Sequence, residues 1–307
     1  MARAAAAGDG VTGAQRQGRL RVRLQVIQAP DLPAGWTGKL WAMHSGTAHV
    51  DTLPDPPDYL LFTDADIRYA PDALATLVTR AQRDNLVLNS LMARLHCTSF
   101  AERALIPAFI FFFQLLYPFA WVNRPDGRTA AAAGGCMLVQ RRALQTAGGM
   151  AAVRGELIDD CALGRLLKAQ GPIRLSLTDR AHSRRAFRDL GDVRPMISRS
   201  AYAQLQYSPW LLLGTVLALA VTCIAPPVLA IGASGPAQWL GAAAWALMAV
   251  AFQPTLRFYG VSWGWGLALP AIAAVYLAFT LDSAWQHWRG RGGMWKGRAQ
   301  APATNRR

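Results

Sequence analysis

The chain is short of charge, short of acid and without any cysteine pattern. Only 16% of its 307 residues are charged and 52% are hydrophobic, a balance that predicts that part of it lies in lipid. Acidic residues number 18 against 32 Lys and Arg, for a formal net charge of +14. The four cysteines, Cys97, Cys136, Cys161 and Cys223, form no CxxC pair and have no histidine at zinc-site spacing. That speaks against a structural zinc site and predicts reduced packing thiols. An apolar leader is also missing: Met1 to Gly18 is rich in Ala, Gly, Arg and Gln, which does not read as a signal peptide and predicts a disordered segment over 1–18. No aromatic residues interleave with the basic clusters as a nucleic-acid platform would require, so nucleic acid is not expected as a partner. The arginines gather instead at the two ends, from Arg3 to Arg23 and from Arg289 to Arg307. Beside apolar spans, such clusters mark the cytoplasmic side and anionic headgroups.

What is present centres on Tyr59-Leu60-Leu61-Phe62-Thr63-Asp64-Ala65-Asp66-Ile67, an apolar strand ending in two carboxylates one residue apart. Side chains at i and i+2 of extended chain point the same way, so Asp64 and Asp66 can converge on a divalent metal. Taken alone, an Asp-rich turn explains the same residues. Upstream, the alternation in Leu20 to Ile27 predicts a half-exposed strand. Lys39 follows Gly38 at the start of a helix over Leu40 to His44, where free N–H groups attract anions. A solvated lysine explains it equally well.

Downstream, Pro71 opens a helix with Leu74, Leu77, Val78 and Ala81 on one face, and Leu86-Val87-Leu88 starts another strand. Strand, helix, strand in succession predicts parallel pairing through a right-handed crossover. Ile106 to Val122 is uncharged and nearly all apolar but short and interrupted by Pro107 and Pro118, which predicts a segment lying at the membrane surface. The small-residue loop Thr129 to Gly135 leads into a strand at Cys136, and its glycines, Gly134 and Gly135, permit close backbone approach to a ligand or serve as a flexible linker. Asp159-Asp160 begins a helix; such a pair is a cap or, in a cleft, a source of a general base. A strand at Ile173 to Leu177 and an amphipathic helix over Asp189 to Ser208 follow, with Arg194 and Arg199 reaching a diphosphate or headgroups. Trp210 to Ile231, Ala237 to Phe252 and Leu267 to Leu281 then read as transmembrane segments, with Trp and Tyr at their ends. Three full crossings would put the basic tail opposite the catalytic part, contrary to the positive-inside tendency, so one segment is expected to be interfacial.

In this order, Gly35-Trp36-Thr37-Gly38-Lys39, Phe62-Thr63-Asp64-Ala65-Asp66, Ile106-Pro107-Ala108-Phe109, Tyr117 to Asn123, Ala133-Gly134-Gly135-Cys136-Met137-Leu138-Val139, Leu157-Ile158-Asp159-Asp160-Cys161-Ala162-Leu163, Tyr207-Ser208-Pro209 and Trp295-Lys296-Gly297-Arg298 resemble the family 2 glycosyltransferases of GT-A fold, and more closely those associated with hopene and hopanoid biosynthesis. The resemblance implies an α/β, Rossmann-like, mostly parallel sheet followed by transmembrane helices. It assigns Mg²⁺ or Mn²⁺ to Asp64 and Asp66, the nucleotide to Lys39, and the inverting base to Asp160 beside Asp159. Arg199 falls near the family's Gln-x-x-Arg-Trp position, with Met196 and Ser200 replacing the flanking Gln and Trp. The family's opening strands have no counterpart before Leu20, so an N-terminally truncated domain is expected.

The expected organisation is a disordered 1–18, a catalytic domain over 19–208 with its apolar segment 106–122, a transmembrane region over 209–288 and a basic tail over 289–307. The expected activity moves a sugar from a nucleotide-sugar donor to a lipid acceptor, hopanoid or polyisoprenoid, at the cytoplasmic face of a bacterial inner membrane. An inactive membrane-anchored remnant or scaffold is the alternative.

Overall fold

In a computed structural model, residues 24–292 are described, together with the backbone of two short paired strands, Met294–Trp295 and Arg298–Ala299. The segment 1–18, most of the basic tail and the first half of the strand expected at Leu20 to Ile27 lie outside the described residues. The other half, Leu24 to Ile27, forms no strand, and Leu24 and Val26 are exposed. Its alternation has no described neighbour to satisfy it.

Helix α1 (Gly38–Asp51) opens the ordered part, with the Thr37 side chain accepting from Leu40 N as N-cap. β1 (Tyr59–Thr63) and β2 (Ile67–Tyr69) flank the Asp64–Asp66 turn. α2 (Ala73–Arg83), β3 (Leu88–Arg94), α3 (Phe100–Leu116) and a short α4 (Phe119–Val122) follow. β4 (Cys136–Gln140), α5 (Arg141–Thr146), α6 (Asp159–Lys168), β5 (Ile173–Ser183) and α7 (Leu190–Gln204) complete the α/β part. On α2 the buried residues are Ala73, Leu77 and Ala81, while Leu74 is turned to solvent. The inward stripe is therefore narrower than the apolar pattern predicted.

The five strands run in the order β1-β4-β3-β5-β2. The sheet is mixed rather than mostly parallel: β3 and β5 pair parallel, and the other three pairings are antiparallel. β1 and β3 do run in the same direction, as a crossover through α2 requires, but β4 lies between them. The chain leaves β3, makes the long excursion through α3 and α4, and re-enters the sheet at the same end, so β4 pairs antiparallel to both neighbours. β5 is twice the expected length. It follows β3 as far as Leu177 and then carries β2 on its far end, Ile67 opposite Ser183.

The segment over 106–122 has two parts, since Ile106, Ala108 and Ile110 are buried while Leu115, Leu116 and Trp121 are exposed. The N-terminal part of α3 is buried through Ile110, and its Phe111 and Phe112 rings lie 5.1 Å from Phe252 and 4.9 Å from Tyr276. α3 is thus the element that joins the sheet to the C-terminal helices. Ser99 caps it in a capping box whose Glu102 is fully buried. Glu102 accepts from the backbone N–H of Thr98, Ser99 and Phe187 and meets His96 Nδ1 at 2.8 Å. Burial alone would push this carboxyl up, but those hydrogen bonds win and hold it down at about 2.

Beyond Pro209, α8 (Pro209–Leu219), a π-turn (Ala220–Ile224) and α9 (Ala225–Gly232) form one continuous apolar helix; Pro226 and Pro227 follow the turn and supply no N–H to a regular ladder. α10 (Pro236–Tyr259) returns beside it. These two are the helices among the described residues long and apolar enough to cross a membrane. Gly241 lets them touch, since a Cβ there would lie 2.7 Å from the Pro226 carbonyl oxygen. α11 (Leu269–Trp288) carries Asp282, whose carboxylate accepts from Nη2 and Nε of Arg194 at 2.6 and 3.0 Å. Arg194 is thereby committed to holding α7 on α11, and the third apolar segment serves as a packing helix.

Candidate active site

Two helix N-termini face each other beside the end of β1. Lys39, in the first turn of α1, places Nζ 2.9 Å from Asp159 Oδ2, in the first turn of α6, and 3.5 Å from Asp64 Oδ1. The free N–H groups of both first turns and the ammonium make this a place where negative charge is welcome. Trp36, Trp41 and His44 stack together around the start of α1, which fixes the helix entry and gives His44 a packing role.

Asp160 is turned inward. Its Oδ2 accepts from Gly134 N at 2.9 Å and its Oδ1 from Cys161 N at 2.8 Å. Burial pushes its proton affinity up, and neighbouring Asp159 pushes it further; Lys39 and the two N–H donors oppose but do not cancel the rise. Lys39 shows the complementary balance. Burial would lower it, yet Asp159, Asp64 and Asp160 hold its ammonium above the ordinary value.

The loop before β4 is built to fit this cluster. Ala133 exchanges hydrogen bonds with the Ser90 hydroxyl, and the Gly135 carbonyl accepts from Thr63 Oγ1 at 3.0 Å and Tyr69 OH at 3.1 Å. A Cβ on Gly134 would stand 3.1 Å from Lys39 Nζ and 3.3 Å from Asp160 Oδ2. Glycine there serves close approach, since a side chain would press on Lys39 and Asp160.

Asp64 and Asp66 occupy the turn between β1 and β2, and each has its own anchor. Asp64 faces Lys39, while Asp66 Oδ2 accepts from Ser183 Oγ at 2.6 Å and the Asp66 carbonyl from Arg184 N at 2.9 Å. Among the described residues no group of three His, Cys, Asp or Glu side chains is placed to hold a metal. Two carboxylates suit Mg²⁺ or Mn²⁺ nonetheless, because such ions keep waters and complete their shells with substrate phosphates. Arg199 stands on another element, half-buried on α7. Ser183 escaped the sequence reading, for its partner Asp66 is 117 residues away and no local pattern announces the pair.

A model of glycosyl transferase family 21 matches residues 56–297. The chain belongs to glycosyl transferase family 21. The glycosyltransferase reading therefore stands, in family 21 of the GT-A superfamily, members of which typically use a divalent metal. The match begins just before β1 and runs through both apolar helices, so the family 21 region contains Asp64, Asp66, Gly134, Asp159, Asp160 and Arg199. Lys39 lies upstream of it. No curated protein matches the chain.

Proposed function

We propose that this family 21 protein transfers a sugar from a nucleotide-sugar donor to the hydroxyl of a membrane lipid by inverting single displacement. The observation that carries this reading is the inward Asp160 carboxyl, raised in proton affinity, hydrogen-bonded to Gly134 N and next to the Lys39 that bridges Asp64 and Asp159. Asp160 takes the proton of the acceptor hydroxyl as its oxygen attacks the anomeric carbon from the side opposite the departing diphosphate. Asp159 holds the Lys39 ammonium in place, and Lys39 faces the diphosphate. Gly134 and Gly135 let the backbone come close to the donor. Asp64 and Asp66 would hold Mg²⁺ or Mn²⁺, which neutralises the leaving diphosphate. Arg199, on α7, is the further cation for that charge.

The two long apolar helices support a lipid acceptor. Their most apolar windows are only 17% and 28% buried within the chain, unlike the core helix of a soluble protein. As a hairpin they put 233–235 on one side and the sheet with Arg289 and Arg291 on the other, which avoids the conflict a third crossing would create. With positive charge inside, the sheet faces the cytoplasm of a bacterial inner membrane. The hopanoid or polyisoprenoid character of the acceptor rests on the motif resemblance.

The test uses the full chain in lipid nanodiscs with nucleotide sugars, a bacterial lipid extract and Mn²⁺. Sugar should appear on lipid, and Asp66→Ala should abolish the transfer. Equal transfer by Asp66→Ala would overturn the mechanism. Intact folding with no donor binding would favour a scaffold instead.

A further inference from the structure

A cavity of about 530 Å³ lies on the face of the sheet turned away from α6 and the Lys39 cluster. Alternation along the strands puts it there. Leu88, Ser90 and Met92 of β3 look toward α3, α6 and the small-residue loop, so Asn89 and Leu91 look toward α2, as do Ser176 and Thr178 on β5. Arg80 of α2, Arg94 at the end of β3 and Arg180 of β5 line the cavity with one carboxylate, Asp179; Arg180 is paired with Asp72. Arginine guanidinium groups around a polar floor are the chemistry of phosphate recognition.

Three details narrow the ligand. Asn89 is only 1% exposed; its Nδ2 donates to Leu77 O at 3.0 Å, while its Oδ1 meets no partner among the described residues. Ser176 Oγ is likewise without a partner. An unmet acceptor and an unmet hydroxyl at the floor of a basic cavity match a ligand that brings hydroxyl groups along with its phosphate. The third detail is Phe258, which lines the same cavity from the last turn of α10. The Arg94 guanidinium lies over the Phe258 ring at 5.5 Å and the Tyr259 ring at 5.8 Å. This stacking fixes Arg94 at the end of a membrane-length helix and leaves its N–H edge for an anion.

We propose that this cavity binds the phosphodiester headgroup of an anionic lipid carrying free hydroxyls, with Arg80 and Arg94 on the phosphate and Asn89 and Ser176 on a hydroxyl. The proposal rests on the membrane reading of α10 but not on the transferase assignment. It is separate from the acceptor site, which lies across the sheet, and makes the headgroup a resident ligand rather than a substrate.

Native mass spectrometry of the full chain released from detergent, with defined lipids added, tests it without any activity readout. Phosphatidylglycerol should be retained in preference to phosphatidylcholine and to phosphatidic acid, which lacks the glycerol hydroxyls. Arg80→Gln and Arg94→Gln should each weaken retention roughly tenfold. Thr76→Trp should block it by filling the cavity from an exposed position of α2, where folding is not at stake. Equal retention of phosphatidylcholine, or retention unchanged in all three variants, would overturn the proposal. Competition by glycerol 3-phosphate as strong as by the lipid would overturn the lipid source and assign the cavity to a soluble phosphate ester. Loss of sugar transfer with lipid retention intact would sink the proposed function and leave this site standing.

Discussion

Six successive residues of β3, from Leu88 to Ala93, are buried, whereas in α10 Trp239, Leu240, Leu247 and Val250 are each about two-thirds exposed or more. Both stretches are apolar, but only the first is covered by protein. In the strand the burial frames a polar site: Ser90 reaches the loop that presents Gly134 to Asp160. In the helices the polar groups are few and satisfied locally, as when Thr215 and Thr222 donate to carbonyls four residues earlier. Apolar content alone does not tell interior from lipid contact; the difference lies in what the backbone hydrogen bonds leave for the side chains to do.

The sharpest break between the two regions should come from Asp160→Asn. It keeps the size of the side chain but removes the base and one of its two N–H acceptors, so transfer should fall about 10³-fold while thermal stability drops only modestly. In the parent, the carboxylate form is the active one and its proton affinity is raised, so the acid limb of kcat/KM should lie above the ordinary carboxylate range. Lys39→Met removes the opposing cation and should move that limb to still higher pH. A limb at the ordinary range in both proteins would deny Asp160 its role.

Next in size is Leu247→Arg, at the middle of α10 and 69% exposed. On a wet surface this change is neutral; in lipid it costs about 3 kcal/mol, read as loss of protein from the membrane fraction after alkaline extraction. Glu102→Gln acts on the sheet side and should destabilise by about 2 kcal/mol, since a charged acceptor of three N–H groups is lost. Because the Glu102 carboxyl is depressed from 4.5 to about 2, its contribution is complete above pH 4.5 and disappears as pH falls toward 2. The variant should therefore show a flatter acid-unfolding profile over that window. Smallest is Arg194→Ala: the pair with Asp282 is half exposed, and its loss should cost under about 1 kcal/mol, seen as a slight drop in melting temperature.

What could be read in the residues was local. Lys39 after Gly38, the Asp64-Ala65-Asp66 step and Asp159-Asp160 each announced a helix start or a turn within a few positions, and all but Asp66 belong to the cluster around Lys39. The capping box at Ser99 and Glu102 was equally local and was passed over, because a buried carboxylate there needed Phe187 to explain it. β4 between β1 and β3, Ser183 beneath Asp66 and Arg194 on Asp282 depend on residues far apart in the chain. No periodicity in one strand says which other strand will lie beside it.

One contact fixes more than it first suggests. Tyr276 OH donates to Leu105 O at 2.8 Å, inside a core that runs without interruption from the strands to α10 and α11. The sheet and the helices share this packed core, so under the proposed membrane reading the height of Asp160 above the bilayer plane is set by the fold. The proposed lipid acceptor would then be selected by depth as much as by shape: its hydroxyl would have to ride at that height, since the packed core gives the sheet little freedom to follow one seated a few ångströms deeper.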